Sequence, residues 1–115
     1  MNTSHAGMAE LDPQERTAEK RMLAAMVGRG VTEVFTVTVT PEFPGSALWL
    51  VVTSDRERDQ LLADGLWLRE LARMAFREAG FGERHVARAL TTVESQETVD
   101  RDHAGNWFAA IRSRL

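Results

Sequence analysis

The chain of 115 residues contains no cysteine. That absence excludes a disulfide framework, a thiolate metal site and a cysteine nucleophile, and it suits a reducing compartment. Lysine is almost missing as well: Lys20 stands alone among 14 basic residues, and the rest are arginine. So uniform a preference reads as a bias of the coding sequence, although a guanidinium is the better group for forked contacts to carboxylate or phosphate. Long apolar runs are lacking too. The longest, "ALWLVV" from Ala47 to Val52, has six residues, against the roughly 20 that span a bilayer. The opening "MNTSHAGMAELD" has neither the basic region nor the apolar stretch of a secretion signal. A soluble, cytoplasmic protein is expected.

Also absent are the motifs that fix a reaction. No glycine-rich phosphate loop occurs, since "VGRG" precedes a strand, and no serine sits in a nucleophile-elbow context. His5, His85 and His103 have no second ligand at a known metal spacing. No cofactor and no metal are expected.

What is present suits one domain with its own core: 43% of the residues are apolar and 27% charged. Residues 1–11 are small, polar and without period, which predicts a mobile tail ahead of a domain over 12–115. In "DPQE" Asp12 can cap, Pro13 suits the first helical position and Glu15 completes a capping box. Ala18, Met22, Ala25 and Met26 follow at helical spacing until "GRG" (Gly28 to Gly30) stops the helix. The period then drops to two. Phe35, Val37 and Val39 alternate with Thr36, Thr38 and Thr40, a strand with one apolar and one hydroxyl face. "PEFPGS" is a turn with Pro44-Gly45 at its centre. The second strand, "ALWLVVT", is apolar on both faces and reads as central.

"SDRE" is a second capping box, Ser54 with Glu57, opening a helical stretch to about Ala79. At about 100° per residue, Leu61, Leu68, Ala72, Ala75 and Ala79 share one stripe while Arg69, Glu70, Arg73 and Arg77 fall opposite. Asp64-Gly65 interrupts this stretch, and Gly weakens a helix interior by roughly 1 kcal/mol. One bent helix or two, over 55–63 and 66–79, satisfy the pattern equally. A third strand is expected near Arg84 to Val93, and Ala104, Trp107, Phe108, Ile111 and Leu115 are spaced for a closing helix. The expected fold is α+β: a three-stranded sheet made of a hairpin plus one later strand, in the order α-β-β-α(α)-β-α. The long helix packs on one face. The closing aromatic helix covers the other, where the threonines of the first strand are expected beside Trp49.

One segment is chemically distinctive. From Glu94 to His103 the acids Glu94, Glu97, Asp100 and Asp102 stand against the single base Arg101, so this stretch alone carries the net charge of the whole chain, −3. Its spacing fits neither a calcium loop nor a zinc helix. One reading makes it a solvated connector whose Asp100 or Asp102 caps the last helix. Read instead as an acidic loop displayed at the rim, it predicts a non-catalytic protein-binding or regulatory module, an adaptor or an immunity-type neutraliser. Such a module would be steered toward a basic partner or toward a second copy. Trp67, on the flank of the long helix beside Met74, is the aromatic candidate for that contact. The expected contact residues are thus Glu94, Glu97, Asp100, Asp102 and Trp67. An enzyme is the first alternative, with Glu94 or Glu97 and His103 as acid and base beside Trp107. Nucleic-acid binding through Arg69, Arg73 and Arg77 is the second. The element order is similar to that of RNA-binding domains of the type II KH kind and of ribosome-binding factor A. The GXXG of the KH kind is missing, however, with only "GFG" (Gly80 to Gly82) placed before a strand. The acidic balance also disfavours a polyanion.

Overall fold

In the computed structural model the described residues are 13–38 and 45–114. The N-terminal tail, the Asp12 cap, the turn residues 41–44 and Leu115 lie outside them. The elements are α1 (Pro13–Ala25), β1 (Val31–Thr38), β2 (Ser46–Val52), α2 (Asp55–Leu62), α3 (Gly65–Glu78), α4 (Glu83–Ala87), β3 (Leu90–Ser95), α5 (Gln96–His103) and α6 (Trp107–Ser113). This is the expected α+β domain, with helices on both sides of a three-stranded sheet ordered β1-β2-β3. β1 runs antiparallel to β2, and β3 lies parallel to it on the other side. A parallel neighbour requires a crossover, which α2, α3 and α4 provide. No helix among the described residues is long and apolar enough to cross a membrane.

Every residue of β2 is buried, as its two apolar faces demand. Leu48, Leu50 and Val52 join Val34 and Val93 under α1 to α4, where Met22, Met26, Leu61, Leu68 and Phe76 complete the larger core. Ala47, Trp49 and Val51 join Phe35 and Val37 on the opposite face, under Val99, Trp107, Ala110 and Ile111. The closing aromatic helix therefore shields Trp49 as expected: the Phe35 ring stacks on Trp49 at 5.9 Å, and Trp107 meets Phe35 edge-on at 6.0 Å.

The threonine face is where expectation and structure part. Residues directly opposite in an antiparallel pair share a face, and Phe35 lies opposite Trp49. Phe35 and Val37 accordingly flank the indole, and Thr36 turns toward α1, where its hydroxyl donates to Glu19 at 2.8 Å. Burial raises the pKa of that Glu19 carboxyl, partly offset by the Thr36 bond. The stretch around Asp64-Gly65 resolves into two helices. The Ser54 hydroxyl accepts the Glu57 N–H (3.2 Å) and the Glu57 carboxylate accepts the Ser54 N–H (3.0 Å), closing the expected capping box. Gly28 and Gly30 stop α1 at φ of +83° and +84°, a region where glycine avoids the Cβ clash.

The third strand begins later than expected. Glu83–Ala87 forms the short helix α4, and β3 starts only at Leu90. That single turn buries Val86 and sets His85 against the rings of Phe81 (4.4 Å) and Phe76 (5.4 Å). Here tertiary packing overrides weak local preference. The acidic stretch is likewise not a connector, since Glu94 and Ser95 end β3 and the remainder is α5.

Ala104 closes α5 at φ 52° and ψ 36°, left-handed backbone, and the following Gly105 N–H returns to the Val99 carbonyl at 2.9 Å. Glycine is the usual residue at such a helix end, and an L side chain there is strained by about 1 kcal/mol. Ala104→Gly is therefore expected to raise the urea midpoint at unchanged m-value. A lowered midpoint would mean that the alanine methyl contributes packing that outweighs the strain.

Candidate functional site

The ends of the parallel strands β2 and β3 lie side by side, and α2 and α5 start from them toward opposite faces of the sheet. The expected acidic site residues converge on this junction. Glu94 is buried among the core residues of the α6 side, where one oxygen accepts from Arg58 Nη1 and from the Ser95 N–H, both at 2.9 Å. Its other oxygen accepts from Arg114 Nη1 at 2.8 Å. Arg114 also donates to the Thr92 hydroxyl (3.0 Å) and lies over the Trp49 ring at 5.5 Å, which ties the end of α6 to the sheet.

Asp55, at the start of α2, accepts from the Ser95 and Thr98 hydroxyls, the latter at 2.6 Å, and from Arg101 Nη1 at 2.9 Å. Those hydroxyl bonds, with the Arg101 guanidinium, hold the Asp55 carboxyl well below the usual aspartate range. The Thr98 hydroxyl gives its one proton to Asp55 and accepts from Arg58 (2.8 Å) and Arg101 (3.1 Å), which uses its full capacity. In return, Glu97 of α5 accepts the backbone N–H of Asp55 in α2 at 2.8 Å. Glu97 thus adds a cap to the start of α2, while the start of α5 is capped by its own Ser95, whose hydroxyl accepts the Thr98 N–H at 3.0 Å and donates to Asp55.

The remaining expected acids are also engaged. Asp100 accepts from Gln96 Nε2 at 2.9 Å, and the same Gln96 amide oxygen accepts the Trp107 indole N–H at 3.0 Å. Asp102 pairs with Arg101 at 3.1 Å. Glu94, Glu97 and His103 do not meet. The first is clamped between two guanidiniums, the second caps α2, and His103 lies in the last turn of α5. Among the described residues no three His, Asp or Glu side chains gather as a metal site.

Trp67 sits differently. Trp49 and Trp107 are buried, but Trp67 is 38% exposed, next to Leu66 at 85% and Leu62 at 43%. This corner, where α2 turns into α3, holds a shallow hollow of about 660 Å³ lined by Ala63, Asp64, Gly65, Leu66, Trp67 and Arg69. The Arg29 guanidinium lies over the Trp67 ring at 4.5 Å and pairs with Asp64 at 3.5 Å. A second hollow, of about 240 Å³, is lined by Gly28, Arg29, Gly30, Glu57, Gln60 and Leu61. Sequence reasoning missed Leu62, Leu66 and Arg29. The available signal was that Leu62 and Leu66 fall off the apolar stripe of a helix broken between them. The arginine stripe is largely consumed by α4: Arg77 forks onto Glu83 (3.0 and 3.2 Å), and Arg73 reaches the Ala87 carbonyl (3.4 Å). Arg69 has no side-chain partner among the described residues.

Two outcomes follow from the junction. Arg58→Met leaves the buried Glu94 with only Arg114 and one N–H. It is expected to destabilise by about 2 kcal/mol, less than the roughly 3–5 kcal/mol of a fully orphaned charge. Arg114→Ala, at the more exposed end, costs about 1 kcal/mol; equal losses in urea titrations would show that burial does not set the hierarchy. For pH the sign follows from the lowered Asp55 pKa. Its contribution is complete above the unfolded value, about 3.9, and is lost as pH falls toward the folded one. Urea midpoints at about pH 7 and pH 3 should therefore differ less in Asp55→Asn than in the parent chain. An unchanged difference would assign the acid sensitivity to another carboxylate.

Compared with known proteins, the chain matches no family model, no curated protein and no solved structure, so its function has to be read from its own surface.

Proposed function

We propose that the protein is a non-catalytic protein-binding module whose contact surface is the α2–α3 corner around Trp67. One observation carries this reading: a half-exposed indole beside an almost fully exposed leucine, Leu66, and a third large apolar residue, Leu62. Single exposed apolar side chains are ordinary on a protein surface; several together around a hollow are the mark of an interaction patch. Tryptophan contributes disproportionately to such contacts because it removes a large area from water at little rotamer entropy.

The acidic segment supports the scaffold first. Glu94 is buried, and Glu97, Asp100 and Asp102, though exposed, each hold an internal partner. A basic partner reaching them would compete with bonds that cap helices and fix the Trp107 indole. The enzyme reading has no convergent acid and base behind it, and the nucleic-acid reading keeps only Arg69 of its three arginines unengaged. Protein binding through an apolar corner needs neither.

The test is capture from a lysate of the source cells, with the domain immobilised as parent chain, as Trp67→Ala, and as Glu97→Gln/Asp100→Asn/Asp102→Asn. Trp67→Ala is expected to weaken a saturable, specific partner by about 30-fold or more, the size of an interfacial hot spot, while its folding is little changed. Loss of that partner in the triple variant alone would move the contact surface to α5.

A further inference from the structure

Resting on the protein-binding reading, the charges at the corner identify the kind of segment it takes. We infer that the α2–α3 corner binds an acidic–apolar peptide segment, with a large apolar side chain over Leu66 and Trp67 and a carboxylate on Arg69. Two charged residues line the hollow, Asp64 and Arg69. Asp64 is already paired with Arg29 at 3.5 Å, and that same guanidinium covers the Trp67 ring at 4.5 Å. Arg69 is exposed and has no partner among the described residues. The acid one position further, Glu70, lies near enough to Arg77 to act on its titration, farther along α3. The hollow therefore offers exposed apolar carbon with one unsatisfied guanidinium at its edge, and a guanidinium takes a carboxylate in a forked, charge-assisted pair.

The same charges weigh against other occupants. A basic segment would bring like charge to Arg29 and Arg69. A second copy docked corner to corner would bring its own Arg29 and Arg69 to a contact that already holds this pair, since a twofold contact presents the same patch from both sides. A phosphate backbone would satisfy Arg69 but leave Leu66 and Leu62 in water, with one face of the Trp67 ring already taken by Arg29.

The experiment uses ¹⁵N-labelled protein and short synthetic peptides that share leucine and phenylalanine and differ only in carrying glutamate, glutamine or lysine. A single-stranded RNA oligonucleotide is the further arm, and sedimentation tests for self-association. The chain has three tryptophans, and Trp67→Phe assigns the exposed indole resonance. The glutamate peptide is expected to shift the Trp67 indole and the Leu66 amide saturably and to leave Trp49 and Trp107 unmoved. Its affinity should fall by about fivefold in Arg69→Gln, the scale of one rim ion pair, and should also fall in high salt. Preference for the lysine peptide, a Trp67 shift with RNA alone, dimerisation through the corner, or no response to any probe would each overturn the assignment. Trp67-dependent capture of a partner combined with no response to the glutamate peptide removes only the acidic–apolar assignment and leaves the protein-binding reading in place.

Discussion

The architecture depends on one constraint, a central strand with no face for water. All seven residues of β2 are buried, so a chain of 115 residues must spread its helices over both sides of a sheet only three strands wide. The larger side receives α1 to α4 and the larger aliphatic core. The smaller receives α5 and α6, and aromatics are prominent there: Phe35 and Trp49 from the sheet meet Trp107 of α6. Rings remove much area per residue and pack edge to face, which suits a cover as short as α6.

Covering both faces forces the chain to leave two adjacent parallel strands in opposite directions, α2 to one side and α5 to the other. In open α/β sheets the crevice at such a reversal is a common ligand site, because helix N-termini with unsatisfied N–H groups point into it. Here the crevice is filled from within. Asp55 and Glu97 supply the negative charge that helix starts favour, Ser95 and Thr98 supply hydroxyls, and Arg58, Arg101 and Arg114 neutralise the carboxylates. The acidity that makes the segment conspicuous in the sequence is thus the anion its own helices would otherwise seek. That is the physical reason why the proposed contact surface is sought elsewhere.

Much of this was legible in the sequence because some signals are local. Apolar residues on both parities made β2 central and the Ser54/Glu57 spacing marked the start of α2, whereas Asp64-Gly65 left one bent helix or two equally open. Other features depend on distant parts of the chain. Period two in β1 defines two faces, but which one meets α6 is set by the hairpin register that puts Phe35 opposite Trp49. The segment from Arg84 onward has no clean alternation, and its helical turn is held by packing that sets the His85 ring, tilted, against Phe81 and Phe76. Moving the strand to Leu90–Ser95 turned Glu94 from a loop acid into a strand-end acid inside the second core. At the corner, Trp67 could be placed on the flank of a helix, but Arg29 arrives from the turn after α1, and a helical projection of α3 contains no trace of it.

The Arg29 contact limits how much bare apolar surface this corner offers to water. A bare cluster of Leu62, Leu66 and Trp67 would invite indiscriminate association. A guanidinium over the indole keeps a hydrated charge above the apolar surface, and the pairing with Asp64 holds it there. The bond is weak enough to yield: an exposed cation–π contact contributes about 0.5–1 kcal/mol, and an exposed ion pair adds no more than a similar amount. A partner that brings both an apolar side chain and a carboxylate can replace the hydration of Arg29 and Arg69 with its own charge while it buries the indole. A purely apolar partner would have to dehydrate those guanidiniums without compensation, and a basic one would add repulsion. On the proposed reading, selectivity at this corner would come from the arginines and affinity from the carbon they partly cover.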